Sequence, residues 1–284
     1  MHNKRITIAS SIVPAFGLNW TALRGKNSAF AVAHFYHAPP PLMGRYKRSR
    51  FRVMFKHKEA LLLDMNSTFM FGEDRFGATE DYSKYYRSIG GNLPDDLVND
   101  IIGNAYNYLA DKYPSEEYMH CFPSLETAIE ASSEINIPFW EKGKIVKTFA
   151  YHEHGHIPQS YVQALVALKN DFTLALVIDI WAPKKMWINT FEHHEIWRLF
   201  SAYSFSSDHG MVKPSPKPFE MVVSDLGLTK NKCLVIGDSV RRDLGGALNA
   251  SIDCVLVGGS KSDLAVGEFP TLLDFQKNVS SSIS

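Results

Sequence analysis

Four short apolar runs, separated by helical sequence, leave this chain few folds to choose from. They lie within Glu59–Asp64, Phe172–Ile178, Lys232–Ile236 and Asp253–Val257. Runs of this length, bounded by turns, read as strands buried on both faces of a parallel sheet. Between them Asp95–Lys112 places Leu97, Ile101, Ala105, Tyr108 and Leu109 on one helical face, and Pro123–Ile135, Pro218–Leu226 and Arg242–Ala250 also read as helices. Strands alternating with helices imply right-handed βαβ crossovers, hence an α/β, Rossmann-like parallel sheet with helices on both faces. Ligands of such sheets bind outside the carboxyl ends of the strands. Asp64, Asp179 and Asp238 all fall at that edge.

The charge total hides a division. The chain holds 30 Lys and Arg against 30 Asp and Glu, which argues against a nucleic-acid-coating protein. Yet residues 1–53 carry nine of the basic residues and no acid, so the other 231 residues hold 21 basic and 30 acidic groups. Residues 1–57 are therefore set apart as a basic extension outside the core, with Pro39-Pro40-Pro41 as an extended linker. The extension is open to three readings. It is a transit segment, a secretory signal (Lys4 and Arg5 before Ile6–Leu18, then Ala31-Val32-Ala33), or an appendage to a functional chain starting near Met54. No run approaches the about 18 apolar residues of a membrane span. Three scattered cysteines make no disulfide framework. The expectation is a cytoplasmic protein, or one targeted by its basic segment, without a nucleic-acid or membrane partner; its oligomeric state is not legible.

The strand-end acids suggest a chemistry. An Asp in a turn rich in backbone N–H groups suits a carboxylate nucleophile, and Asp64 is so placed. Asp238 ends a second strand within Val235-Ile236-Gly237-Asp238-Ser239. Two carboxylates drawn together call for a divalent cation, and hard oxygen ligands favour Mg²⁺ with a substrate phosphate. Lys213, in Val212-Lys213-Pro214-Ser215-Pro216, supplies a cation to hold the nucleophile ionised. Asp243 is spaced to orient Lys213 or a metal-bound water.

Asp64-Met65-Asn66-Ser67-Thr68, then Lys213-Pro214-Ser215-Pro216, then Gly237-Asp238-Ser239 with Asp243, come in the order and spacing of the haloacid dehalogenase-like superfamily, which residues 59–260 resemble. The resemblance implies a core of residues 58–78 and 170–270, an inserted helical cap at 79–169 as in capped subfamily I members, and a tail at 271–284. It implies Asp64 and Lys213 as catalytic residues, and Mg²⁺ held by Asp64, Asn66, Asp238 and Asp243. Thr68, Asp179 and Arg75, the last on the flap Phe69–Gly77, become substrate contacts.

Two positions depart from the family's pattern. The acid that protonates the leaving alcohol is Asn66 here, and an amide cannot serve, although its backbone carbonyl remains open to a metal. The Ser or Thr that binds phosphate after the second strand is Ile178, or Asp179 if the register is one off. The function implied is an Mg²⁺-dependent phosphatase acting on a small phosphorylated metabolite through an aspartyl-phosphate at Asp64. A phospho-ligand binding protein without catalysis and a carbon–halogen hydrolase remain as alternatives. Tyr151–His156, with three imidazoles two apart, reads as a hinge between cap and core.

Overall fold

The computed structural model describes residues 55–132 and 137–280; the basic extension, apart from its last residues, lies outside them. Six parallel strands form the sheet: β1 (Ala60–Leu63), β2 (Thr173–Ile178), β3 (Phe200–Phe205), β4 (Cys233–Gly237), β5 (Asp253–Leu256) and β6 (Gly267–Glu268), in the order β3-β2-β1-β4-β5-β6. The α/β Rossmann-like reading holds. β1 lies inside the sheet, with Leu61 paired to Leu174 on one side and Leu234 on the other. All four of its residues are buried. Strand β3 is absent from the sequence reading because Ser201 and Tyr203 face outward and break the apolar run.

Helices α1 (Tyr82–Ser88), α2 (Asp95–Lys112), α3 (Leu125–Ala131) and α4 (Phe139–Glu153) are inserted between β1 and β2 and pack on one another. In α2 the buried stripe is Val98, Ile101, Ile102, Ala105 and Leu109, with Asp95 and Asp96 at the positive end of the helix dipole and Lys112 at the other. Helix α5 (Gln159–Lys169) falls within the expected cap but packs against β2 and the last helix, so it behaves as a core element. Helices α6 (Lys185–His193), α7 (Lys217–Asp225) and α8 (Gly245–Asn249) follow. The expected tail instead contains α9 (Leu272–Val279), whose Leu272, Phe275 and Val279 are buried. Phe55, assigned to the extension, is also buried and meets the Phe275 ring at 6.1 Å. The apolar Phe55 and the amphipathic α9 thus belong to the core, because each has a face that only the sheet layer covers.

Strand periodicity divides the core into two layers. Leu61 and Leu63 face the side that buries Leu165, Leu168, Trp187, Phe191 and Phe275. Ala60 and Leu62 face Phe219, Val222, Leu244 and Ala247. No helix of the described residues is long and apolar enough to cross a membrane.

Candidate active site

Asp64 leaves the end of β1, its backbone N–H bonded to the Ile236 carbonyl at 2.8 Å, which sets its carboxylate beside the turn after β4. Lys213 Nζ donates to Asp64 Oδ1 at 2.5 Å and to Asp243 Oδ1 at 2.7 Å. The other Asp243 oxygen accepts the Ser239 N–H at 3.0 Å. Both oxygens of Asp243 are therefore engaged, which suits an orienter of Lys213 better than the metal ligand also expected of it. Gly237 makes this possible, because a Cβ there would lie 2.3 Å from the Asp243 carboxyl carbon. Asp243 itself sits on a π-type helical turn, Val240–Leu244, a form often found at functional sites.

Asp64, Asp238 and Asp243 each offer an oxygen within 4.8 Å of the others. Asp238 Oδ1 and Asn66 Oδ1 are buried without a hydrogen-bond partner. The orphaned oxygen of Asp238, grouped with the buried Asp64 carboxylate, fits a divalent cation that no side chain replaces. Burial and the charge of Asp243 push Asp64 up to about 7 against the pull of Lys213. Burial and Asp243 likewise raise Asp238. A divalent cation would reverse both shifts.

Three expected substrate contacts sit differently. Thr68 is 1% exposed and its hydroxyl donates to Asp64 Oδ2 at 3.2 Å, so it steadies the nucleophile from below. Arg75 turns away: Nη1 donates to the carbonyls of Gly72 and His154 at 2.9 and 2.8 Å, and Nη2 to that of Tyr151. Those carbonyls at the end of α4 hold its fork, so Arg75 ties flap to hinge and does not present itself to an anion. Asp179, not Ile178, follows β2 at the site, since Ile178 is packed in the core. Asp179 Oδ2 accepts the Tyr113 hydroxyl at 2.7 Å and the Lys213 N–H at 2.9 Å. It anchors the inserted helices to the core, and burial raises its pKa although Lys213 and Tyr113 oppose that.

The residues around this anchor were not foreseen. Arg241 donates to the carbonyls of Pro114 and Tyr113 at 2.9 and 3.2 Å, and the Arg242 guanidinium lies over the Tyr113 ring, 5.6 Å from its centroid. Tyr113 also meets Trp181 and Phe122 edge-on at 5.6 and 5.7 Å, forming an aromatic seam between insert and core. The three imidazoles of the hinge diverge. His152 is buried on α4, His154 bonds the Thr190 hydroxyl at 2.9 Å, and the backbone of His156 pairs with Phe71. Gly155 is required there because a Cβ would come 2.7 Å from the Phe71 carbonyl oxygen.

Glu153, the last residue of α4, accepts the N–H groups of Trp181 and Ala182 at 2.6 and 2.9 Å. Burial pushes its carboxyl up to about 8 in spite of those two donors. In the unfolded chain it ionises near its ordinary value of 4.5, so between about pH 4.5 and 8 the folded state retains a proton that the unfolded state has lost. Stability is expected to fall as pH rises through that window, Glu153 accounting for about 3–5 kcal/mol of the change. Thermal melts from pH 5 to 8 check this, and Glu153→Gln should flatten the dependence. An unchanged slope in the variant would assign it to other groups.

Residues 211–271, which include Lys213, Asp238 and Asp243, match the HAD-hydrolase-like family model. No curated protein matches the chain in sequence. Among solved structures, a 2-haloacid dehalogenase from Pseudomonas syringae pv. Tomato DC3000 aligns with TM-score 0.54 and 18% identity, over 78% of this chain and 97% of that one. A HAD phosphatase from Thermococcus onnurineus aligns with TM-score 0.53 and 18% identity, over 77% and 96%. At such identity the likeness establishes the fold, and the shared fold spans relatives of different chemistry. In fold this chain is similar to haloacid dehalogenase-like proteins over most of its length, and in sequence residues 211–271 match the HAD-hydrolase-like model.

Proposed function

We propose that the chain is an Mg²⁺-dependent phosphatase acting on a small phosphorylated metabolite through an aspartyl-phosphate at Asp64. The observation that carries this reading is the Lys213 ammonium bridging Asp64 and Asp243, with the free oxygen of Asp238 alongside. In the first step an Asp64 oxygen forms a bond to phosphorus as the bond to the ester oxygen breaks. Lys213 meets the charge that develops on the transferring group, and Asp243 and Thr68 keep lysine and nucleophile in line. Water then attacks phosphorus and the Asp64 carboxylate is regenerated. Asp64, Asp238 and the backbone carbonyl of Asn66 would hold Mg²⁺, which supplies charge neutralisation on the phosphoryl oxygens. Carbon–halogen hydrolysis is the competing reaction: it needs no leaving-group acid, so Asn66 favours it, but it leaves Asp238 without a task.

The test is phosphate release from aryl, acyl and alkyl phosphates with Mg²⁺ and with chelator, beside halide release from short haloacids. Phosphate release that chelation stops supports the reading, whereas halide release alone replaces it. Mg²⁺ is also expected to raise the melting temperature, by an amount that grows with its concentration. Asp238→Ala should weaken this metal response at least tenfold in concentration, because it removes a direct oxygen ligand. A variant with the wild-type metal response would take Asp238 out of the metal site.

A further inference from the structure

Arg242 stands apart from every other cation near the site. Lys213 has two carboxylate partners, and Arg241 has two backbone carbonyls. Arg242 is half-buried, yet no carboxylate of the described residues lies within 4.0 Å of its guanidinium. Its one side-chain hydrogen bond among the described residues reaches Tyr113 Oη at 3.5 Å, the outer limit of such a bond. The fork carries five N–H donors, so most of its capacity is unused. Taking a guanidinium partly out of water without a partner is costly, and buried charges are ordinarily paired. The electrostatic surroundings explain why it stays in place: Asp64 and Asp243 act on it, and it acts on Asp238, Asp179 and Asp74. Arg242 is thus held among the carboxylates of the site without an ion-pair partner, with most of its donors free for a ligand.

A second fact concerns the same site. After β2 no hydroxyl side chain is offered to an anion beside Lys213; the residue there is Asp179, whose carboxylate would repel one. The hydroxyl that does reach the place is that of Tyr113, delivered by the end of α2 and held by Asp179 Oδ2 at 2.7 Å. Arg242 stacks on the same ring. Beyond Lys213, the donors left free for an oxyanion are therefore those of Arg242, on the turn after β4 and not after β2.

We propose that Arg242 is the substrate-anion receptor of this site, its guanidinium taking two oxygens of the phosphoryl group presented to Asp64, with Tyr113 fixing the plane of the fork. The proposal deepens the phosphatase reading and rests on the same site, but it concerns binding, so binding tests it apart from turnover. A planar fork matches two oxygens of a tetrahedral anion, which a lysine at the same place would meet only as a point charge.

The experiment is titration of the full-length, Mg²⁺-loaded protein with inorganic phosphate, followed by calorimetry and thermal shift, with acetate as a carboxylate probe. Arg242→Gln is expected to weaken phosphate binding roughly 10–100-fold, the usual loss for a charge-assisted hydrogen-bonded pair. Arg242→Lys should fall between it and the wild type, and Arg241→Gln should bind phosphate like the wild type. Melting temperatures without phosphate give the folding control; should Arg242→Gln lack a cooperative melt, Arg242→Lys decides, and must lose affinity at least several-fold. Phosphate binding within about twofold of wild type in a folded Arg242 variant overturns the proposal. So does a wild type that binds no phosphate, or one that binds acetate as tightly. Phosphate binding that depends on Arg242 in a protein that turns over no phosphate ester would refute the proposed reaction and leave this inference standing. Turnover with an unchanged KM in Arg242→Gln would do the reverse.

Discussion

Asp64→Asn is expected to remove phosphate release altogether, a loss on the order of 10⁴-fold or more, as when covalent nucleophiles are deleted elsewhere. The substitution preserves shape, so the protein should still fold. It replaces the carboxylate that Lys213 bonds at 2.5 Å with an amide, whose oxygen is a poor nucleophile and whose NH₂ meets the ammonium badly. It also removes a negative charge from a buried cluster in which burial and Asp243 already hold Asp64 up. The variant is therefore expected to lose little stability without metal, while losing both turnover and phosphoenzyme. Rapid-quench labelling with a ³²P-aryl phosphate separates the two: label retained in wild type and absent in Asp64→Asn. Turnover persisting in the variant would move the nucleophile elsewhere.

Asn66→Asp is expected to raise activity, and selectively. Without a proton donor at residue 66, only leaving groups stable as anions depart readily, so aryl and acyl phosphates should be hydrolysed and alkyl phosphates hardly at all. A new carboxyl there would sit in the same turn as the Asp64 carboxylate, two residues away. Like charges at short range raise a carboxyl pKa, which is what a proton donor needs near neutral pH. Alkyl phosphate turnover should rise by about 10²-fold with aryl rates nearly unchanged. The companion change belongs at Asp179, since Ile178 faces the core and a serine there would bury an idle hydroxyl. Equal, low rates on both substrate classes in wild type and variant, with no phosphoenzyme, would favour a binding protein.

The acids of the site were legible because parallel topology does the work of assembly. Asp64 and Asp238 each follow a buried strand, and adjacent strands running the same way deliver their ends to one edge. Lys213 was legible from its motif, and Asp243 from its spacing. Tyr113 was not, because it lies 66 residues from Asp179 and nothing local states where the end of α2 will land. Arg75 was read as facing substrate because its flap follows the nucleophile, yet the carbonyls left open at the end of α4 compete for its fork more closely. Glu153 was legible only as part of the hinge Tyr151–His156; its burial depends on a loop after β2 that folds back over it. Strand-end chemistry can be read along the chain, whereas contacts between the insert and the core depend on a docking that no short window contains.

The placing of β1 also governs when the site can exist during synthesis. Ala60 pairs with Thr173 and Cys233, so its partners are made 113 and 173 residues later. A chain emerging from the ribosome displays Ala60–Leu63 long before either neighbour arrives, and an unpaired apolar strand is a template for association with other chains. The inserted helices, rich in local contacts, can form meanwhile. The nucleophile acquires its lysine, and its strand the second edge, only once residues 213–237 have left the exit tunnel. Nascent chains halted before that point are expected to depend on chaperones and to aggregate without them, while longer ones can pair β1 on both sides.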